Sequence, residues 1–257
     1  MVEQELTGRY VYCVIDTGKS INLGKIGIEE KEVYTIPHSD ISAIVHSCLP
    51  KAYESKDENA IINYVQKHNS VVDLVFNKFD TAVPLRFNTI MKEKDNKTNE
   101  ATQKWLEEQY PNLKRKLSEF RGKQEYSVQV FIDKEKLRHD ILEQSQRIIE
   151  LKKKIETAKS PGYAYMYEQT FETTIKEELE ERSRGISKEV QALIKNYSTD
   201  MRVEKTKKAE GKTMVLNISC LVQKENAQQF REELEKMEGP NNLSIRITGP
   251  WAPYSFV

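Results

Sequence analysis

Tyr126-Ser127-Val128-Gln129-Val130-Phe131-Ile132-Asp133 is the stretch on which the fold turns. Tyr126, Val128, Val130 and Ile132 fall on every second position, the period of a strand with one buried face. Asp133 then stands where a helix needs an N-cap. Behind it Leu137, Ile141, Gln144, Ile148, Leu151 and Ile155 follow at heptad spacing, a seam that wants a partner helix. Ser160-Pro161-Gly162 breaks that helix, and Pro161 suits the first position of a second one. The second helix carries Phe171, Ile175, Leu179, Ile186, Val190 and Leu193 on one side, to about Asn196. Together they predict an antiparallel, charge-coated helical hairpin over about 134–197. Strands at 201–206 and 214–222, a helix bearing Ala227, Phe230, Leu234 and Met237, and a strand at 243–248 complete this half. The order is ferredoxin-like with an enlarged first crossover.

Upstream, Arg121-Gly122 marks the boundary of a first half that opens with strands. The Val-, Ile- and Tyr-rich run 9–16 ends in the turn signal Asp16-Thr17-Gly18, and 32–36 and 41–48 are two more short strands. Ser55-Lys56-Asp57-Glu58 matches a capping box, and Ile61, Val65, His68, Val72 and Val75 form the apolar stripe of the helix behind it. A strand at 82–87, with Pro84 suggesting an edge or a strand start, precedes a helix from about Asn99 that carries Trp105, Leu106, Leu113, Leu117 and Phe120 and is expected to kink at Pro111. The expected fold class is therefore α+β in two domains. Residues 1–121 form a modified ferredoxin-like N-terminal domain, with a strand in place of the first helix. Residues 122–257 form a ferredoxin-like C-terminal domain with the inserted long helical hairpin and a Pro/aromatic tail at 249–257.

Composition narrows the function classes. The 257 residues carry 40 Lys+Arg against 40 Asp+Glu, and zero net charge argues against nucleic acid, whose phosphates demand a basic face. Mean hydropathy is −0.68, and no apolar run approaches the roughly 18 residues of a membrane span. The acidic start Met1-Val2-Glu3-Gln4-Glu5 lacks the apolar core of a secretory leader. Three cysteines, Cys13, Cys48 and Cys220, lie far apart in the chain and fit a reducing cytoplasm.

Candidate chemistry is sparse. Gly18-Lys19-Ser20 imitates a P-loop, but Cys13 stands where the first glycine belongs and no helix follows Ser20. Asp16-Thr17-Gly18 imitates an aspartic protease without its second carboxylate; Asp and Gly are favoured turn formers, so the triplet reads as a turn. The histidines His38, His46, His68 and His139 make no spaced ligand set, and His68, on an apolar helix face, reads as a satisfied core residue. No catalytic, cofactor-binding or metal-binding residue is nominated. Arg86, between Leu85 and Phe87, reads as half of a structural salt bridge. Thr248-Gly249-Pro250-Trp251-Ala252-Pro253-Tyr254-Ser255-Phe256-Val257 cannot be a helix or a central strand. It is expected to dock its aromatics, Trp251 included, back onto the protein; the alternative is that it offers them to a partner as anchors.

At these residues the chain resembles the gas vesicle protein F / gas vesicle protein L family (GvpL/GvpF), nearly end to end. The family's Tyr-Val-Tyr-small-apolar opening is matched by Tyr10-Val11-Tyr12-Cys13-Val14-Ile15, and its His-Asn/Glu-x-Val segment by His68-Asn69-Ser70-Val71. Its Pro-Leu-Arg-Phe-Gly-Thr strand is matched by Pro84-Leu85-Arg86-Phe87-Asn88-Thr89, its Gly-Tyr helix opening by Gly162-Tyr163, and its Leu-Asn-x-x-x-Leu-Val strand from Leu216-Asn217 through Leu221-Val222. The ending, usually Gly-Pro-Trp-Pro-Pro-Tyr-x-Phe, is here Gly249, Pro250, Trp251, Ala252, Pro253, Tyr254, Ser255, Phe256. Asn88 replaces a glycine, at a position where αL is expected to carry some cost. Ala252 replaces a proline, which is expected to loosen the tail.

The resemblance implies a non-enzymatic accessory or minor structural protein of gas vesicles, in the cytoplasm or on the vesicle. Its implied partners are the major hydrophobic shell protein and other gas vesicle accessory proteins, without nucleic acid or membrane, in early assembly. Its motif residues would be structural or partner-binding. The alternative is an RNA-binding tandem of ferredoxin-like folds, with Tyr10 and Tyr12 stacking bases on a sheet face.

Overall fold

The computed structural model describes residues 7–92, 99–207, 212–238 and 243–257. The chain divides into two compact units, 1–125 with 250–257, and 126–249. The boundary expected at 121/122 thus falls at 125/126. The tail, expected with the second half, belongs to the first, because its buried side chains join the first unit's core.

In the first unit, β1 (Gly8–Ile15) pairs antiparallel with β4 (Ile41–Cys48), β4 with β3 (Val33–His38), and β3 with β2 (Asn22–Gly24). On its other side β1 pairs with both β5 (Ala82–Pro84) and β6 (Ile90–Lys92). The strand expected at 82–87 therefore stops at Pro84, a turn intervenes, and the edge resumes at Ile90. Every residue of β1 is buried, which requires cover on both faces. The helix α1 (Glu58–Phe79) packs Val71, Val72, Val75 and Phe76 on the face that carries Tyr10 and Tyr12. The helix α2 (Glu100–Phe120) runs through Pro111, buries Leu106, Leu113, Leu117 and Phe120, and lies against β3, β4 and β5. The N-cap of α1 is Asp57, accepting from Asn59 N at 3.0 Å, while the expected cap Ser55 instead accepts from Asp57 N.

Asp16 ends β1 in an ion network: Lys114 donates to it at 2.6 Å and also to Asp40 at 2.9 Å, and Arg121 pairs with it too. Gly18 is required by close approach, since a Cβ there would stand 2.0 Å from the Ser39 carbonyl oxygen.

In the second unit β7 (Lys123–Ile132) leads into α3 (Lys134–Gln144), α4 (Gln146–Glu156) and α5 (Pro161–Tyr197). Then come β8 (Ser198–Val203), β9 (Thr213–Gln223), α6 (Ala227–Lys236) and β10 (Leu243–Trp251). The strand order is β10-β7-β9-β8, or fourth, first, third, second. As the alternation requires, Tyr126, Val128 and Val130 meet Leu216, Ile218, Cys220 and Val222 in one core, closed by Val190, Ile194, Phe230 and Leu234.

The first arm of the hairpin is two helices, not one. Ser145 is extended (φ −75°, ψ 118°), caps α4 through Ile148 N, and donates its hydroxyl to Glu178 at 2.6 Å. The seam nevertheless continues across the break, with Leu137, Ile141 and Ile148 packing on Ile175 of α5. Asp133 and Pro161 stand at the helix starts as their chemistry dictates.

Candidate functional site

A buried polar constellation lies under α1, where β1 presents Tyr10 and Tyr12 to two buried histidines, His46 and His68. Leu85 O can only accept, so the 3.1 Å contact to His68 Nε2 puts the ring proton on that nitrogen. His68 Nδ1 then accepts from the Tyr10 hydroxyl at 2.8 Å, and that hydroxyl accepts from Asn88 N at 3.2 Å. The second chain runs in parallel. Ile28 N donates to the Tyr12 hydroxyl at 3.0 Å, that hydroxyl is hydrogen-bonded to His46 Nδ1 at 2.7 Å, and His46 Nε2 is hydrogen-bonded to the Tyr53 hydroxyl at 2.9 Å. Tyr10 stacks on His46 with ring centroids 4.9 Å apart, and Tyr12 on His68 at 5.4 Å.

Burial governs the titration of this cluster. Desolvation pushes both histidines down to about 4, helped at His46 by the charge of Lys31 and opposed at His68 by the Leu85 carbonyl. The same desolvation pushes Tyr10, Tyr12 and Tyr53 well above the ordinary phenol range. At neutral pH every member is uncharged, and each ring nitrogen of His46 and His68 is already engaged. The arrangement ties β1, β4, α1 and the segments around 28, 53 and 85–88 to one another. It presents no ligand set, and no group of metal-binding side chains occurs among the described residues.

At the Tyr53 end a cavity of about 300 Å³ is lined by Glu29, Lys31, Cys48 and Tyr64 among others. Burial raises the Cys48 thiol to about 11. Glu29 and Glu30 beside it both adopt left-handed backbone, at φ 54° and 55°. Tyr64 donates to Glu29 at 3.3 Å, and Lys67 pairs with Glu30 at 2.8 Å.

The motif residues of the first unit converge here. Tyr10, Tyr12, His68 and Phe87 share the cluster, and Pro84 lies buried on β5 opposite Cys13. Arg86 does not join them. It is exposed in the 85–89 turn and makes no ion pair among the described residues, so the salt bridge expected of it is not formed: the strand ends before it. Asn88 takes the left-handed conformation at φ 67°, as a replaced glycine requires.

The tail docks on the same unit, but not as expected. Ala252 and Phe256 are buried, and Tyr254 packs against the core that holds Tyr10 and Tyr12. Glu125 receives Ser255 N at 2.8 Å and Ser255 Oγ at 2.6 Å, and Lys116 donates to Phe256 O. Pro253 is buried too, whereas Trp251 is 42% exposed. The expected anchor is thus the wrong aromatic: β10 extends through Gly249 and Pro250 to Trp251, so the chain turns inward only after it. Ala252, at the position expected to loosen the tail, has its small side chain fully buried. Gly162 and Tyr163 open α5 in the other unit, and Gly249 there accepts from Arg231 at 2.8 Å.

Sequence reasoning missed His46, Tyr53 and Glu125. The alternation of β4 carries a signal for the first, since His46 shares a face with Ile44 and Cys48. A polar residue on an apolar face asks for a buried partner.

A family model described as gas vesicle synthesis protein GvpL/GvpF matches residues 8–257. The chain belongs to the GvpL/GvpF family. Gas vesicle protein L1 of Halobacterium salinarum is 25% identical, over 97% of this chain and 90% of that protein. Gas vesicle protein L of Haloferax mediterranei is 24% identical, over 97% and 87%. The crystal structure of GvpF from Anabaena superposes with a TM-score of 0.74 at 20% identity, covering 97% of this chain and 98% of that one. GvpF from Microcystis aeruginosa gives 0.68 at 19%, with the same coverage. These structures share the fold. Within the family fold Tyr10 and Tyr12 are fully buried and cannot stack bases, which removes the feature behind the RNA-binding alternative. Among the described residues no helix is long and apolar enough to cross a membrane.

Proposed function

We propose that this gas vesicle protein is an accessory or minor structural component that binds the major shell protein and assists vesicle nucleation or assembly. The carrying observation is the family match over residues 8–257, which leaves no large part of the chain for an unrelated activity. The role is non-catalytic on this reading: the richest set of titratable side chains, the Tyr–His cluster, is spent on tying strands and helix together. Other gas vesicle accessory proteins are further partners, and the protein acts at the vesicle. The strand order of the second unit supports a ferredoxin-like reading of that half, with the first unit as a modified relative.

A soluble protein that captures an aggregation-prone subunit needs an exposed contact surface on a rigid frame. The test is co-expression of the tagged protein with its cognate major shell protein. Retention of the shell protein on the tag at moderate salt is the expected result. If both proteins fold and none is retained, the shell-binding role is lost.

A further inference from the structure

The free end of the helical hairpin carries an unusual surface. Tyr163, Tyr165 and Met166 are 57%, 63% and 49% exposed, within four consecutive residues of the first turns of α5. Tyr163, Met166 and Tyr167 are spaced i, i+3, i+4, so they share one helical face, while Tyr165 points to another. Against that shared face, the end of α4 and the turn after it close a groove of about 270 Å³, lined by Lys154, Thr157, Ala158, Lys159, Tyr163 and Tyr167.

No described residue outside the hairpin tip lines this groove. The hairpin's own packing runs through Ile148, Phe171, Ile175 and Leu179, farther from the tip. Neither Lys154 nor Lys159 forms an ion pair among the described residues, although hairpin ion pairs such as Arg147 with Glu177 occur nearer its base. Lys152 and Lys153 add to the positive charge, with Glu156 the acidic residue between them and the turn. Tyrosine and methionine are enriched at protein interfaces, and Lys154 and Lys159, without an ion pair among the described residues, favour a partner of opposite charge.

The geometry points to the hairpin tip as a docking site for an acidic amphipathic helix of a partner protein, its apolar residues on Tyr163, Met166 and Tyr167 and its carboxylates on Lys154 and Lys159. This site is independent of whether the shell protein is the partner. Desolvated tyrosines supply most of the affinity in such a contact, and the lysines supply approach rate and salt dependence.

A fluorescein-labelled synthetic helix with leucines on one face and glutamates on the rest, titrated into the full-length protein, tests it by anisotropy. The expected result is saturable binding that weakens as salt rises. Tyr163→Ser with Tyr167→Ser should weaken it by about tenfold or more, and Lys154→Glu with Lys159→Glu likewise. Tyr165→Ser, as exposed but on the other face, should bind like wild type. All three sites are at the surface, and thermal melts confirm that each variant is folded. The proposal is overturned by absence of binding at low salt, or by equal binding of a Leu/Lys helix. Equal loss in Tyr165→Ser also overturns it, as does tip-dependent binding to phosphatidylserine vesicles in place of the peptide.

Discussion

The Asn88 side chain grips the backbone of Tyr53 from both sides: its Nδ2 donates to the Tyr53 carbonyl at 3.2 Å, and its Oδ1 accepts from the Tyr53 N–H at 2.9 Å. Asn88 does this from a left-handed conformation in which most side chains are strained, and its own N–H reaches Tyr10. A glycine would relax the backbone and lose the grip. The two hydrogen bonds are worth about 1 kcal/mol each, and the relief on going to glycine is about 1 kcal/mol at most. Asn88→Gly should therefore lower stability by about 1 kcal/mol, and Asn88→Ala, which keeps the strain and loses both bonds, by about 2–3 kcal/mol. Urea unfolding of the three proteins gives the order; glycine equal to or above asparagine contradicts it.

The buried histidines make stability depend on pH. Both titrate near 4 in the folded protein and near 6.5 when unfolded, so protons bind preferentially to the unfolded chain between those values. Their contribution is complete above 6.5 and is lost as the pH falls through that window, by up to about 1.4 kcal/mol per pH unit for each ring. The stability slope from pH 6.5 to 4.5 should fall by roughly half in His68→Gln, compared by urea melts at each pH. An unchanged slope means that His68 is not buried neutral.

Asp16 is more than a turn residue. Burial alone would raise its carboxyl, but the hydrogen bonds from Lys114 and Arg121 outweigh this and hold it below the ordinary carboxylate range. Its share of stability is present above the unfolded value near 4 and lost as the pH falls through the lowered one. Asp16→Asn should cost about 1 kcal/mol at pH 7 and flatten the acid limb below pH 4. Lys19→Ala should change stability by less than about 0.5 kcal/mol, since Lys19 is exposed and its carbonyl, which the substitution keeps, accepts from Thr35. Equal effects of the two changes would show that the network contributes nothing.

The tail supplies the sharpest contrast. Phe256 is buried and Trp251 is not. Phe256→Ala should cost about 3–4 kcal/mol, and Trp251→Ala less than about 1 kcal/mol. Glu125→Gln should also weaken the tail, because it removes the charge from the acceptor of both Ser255 bonds. Thermal melts decide it: a larger loss from Trp251 than from Phe256 reverses the assignment of the anchor.

What the sequence determined by itself is what short-range periodicity encodes. The two-residue period of Tyr126, Val128 and Val130, the alternation of Leu216, Ile218, Cys220 and Val222, and the stripe of α1 each name the face that leaves water. Asp133 and Pro161 mark helix starts through local backbone chemistry, and the motifs from Tyr10 to Phe256 carry the family. Only the tertiary structure decided the rest. Where Ser145 breaks the long helix its hydroxyl meets Glu178, 33 residues away, and no local pattern announces that partner. His68 meets Tyr10 across 58 residues and His46 meets Tyr12 across 34, while Glu125 waits 130 residues for Ser255. A buried polar group must be satisfied, but its own sequence neighbourhood states only the need. Which residue meets it is fixed by strand register and helix packing. The same holds for Trp251 and Phe256: both are large and apolar, and the point at which β10 lets the chain turn inward selects the one that is buried.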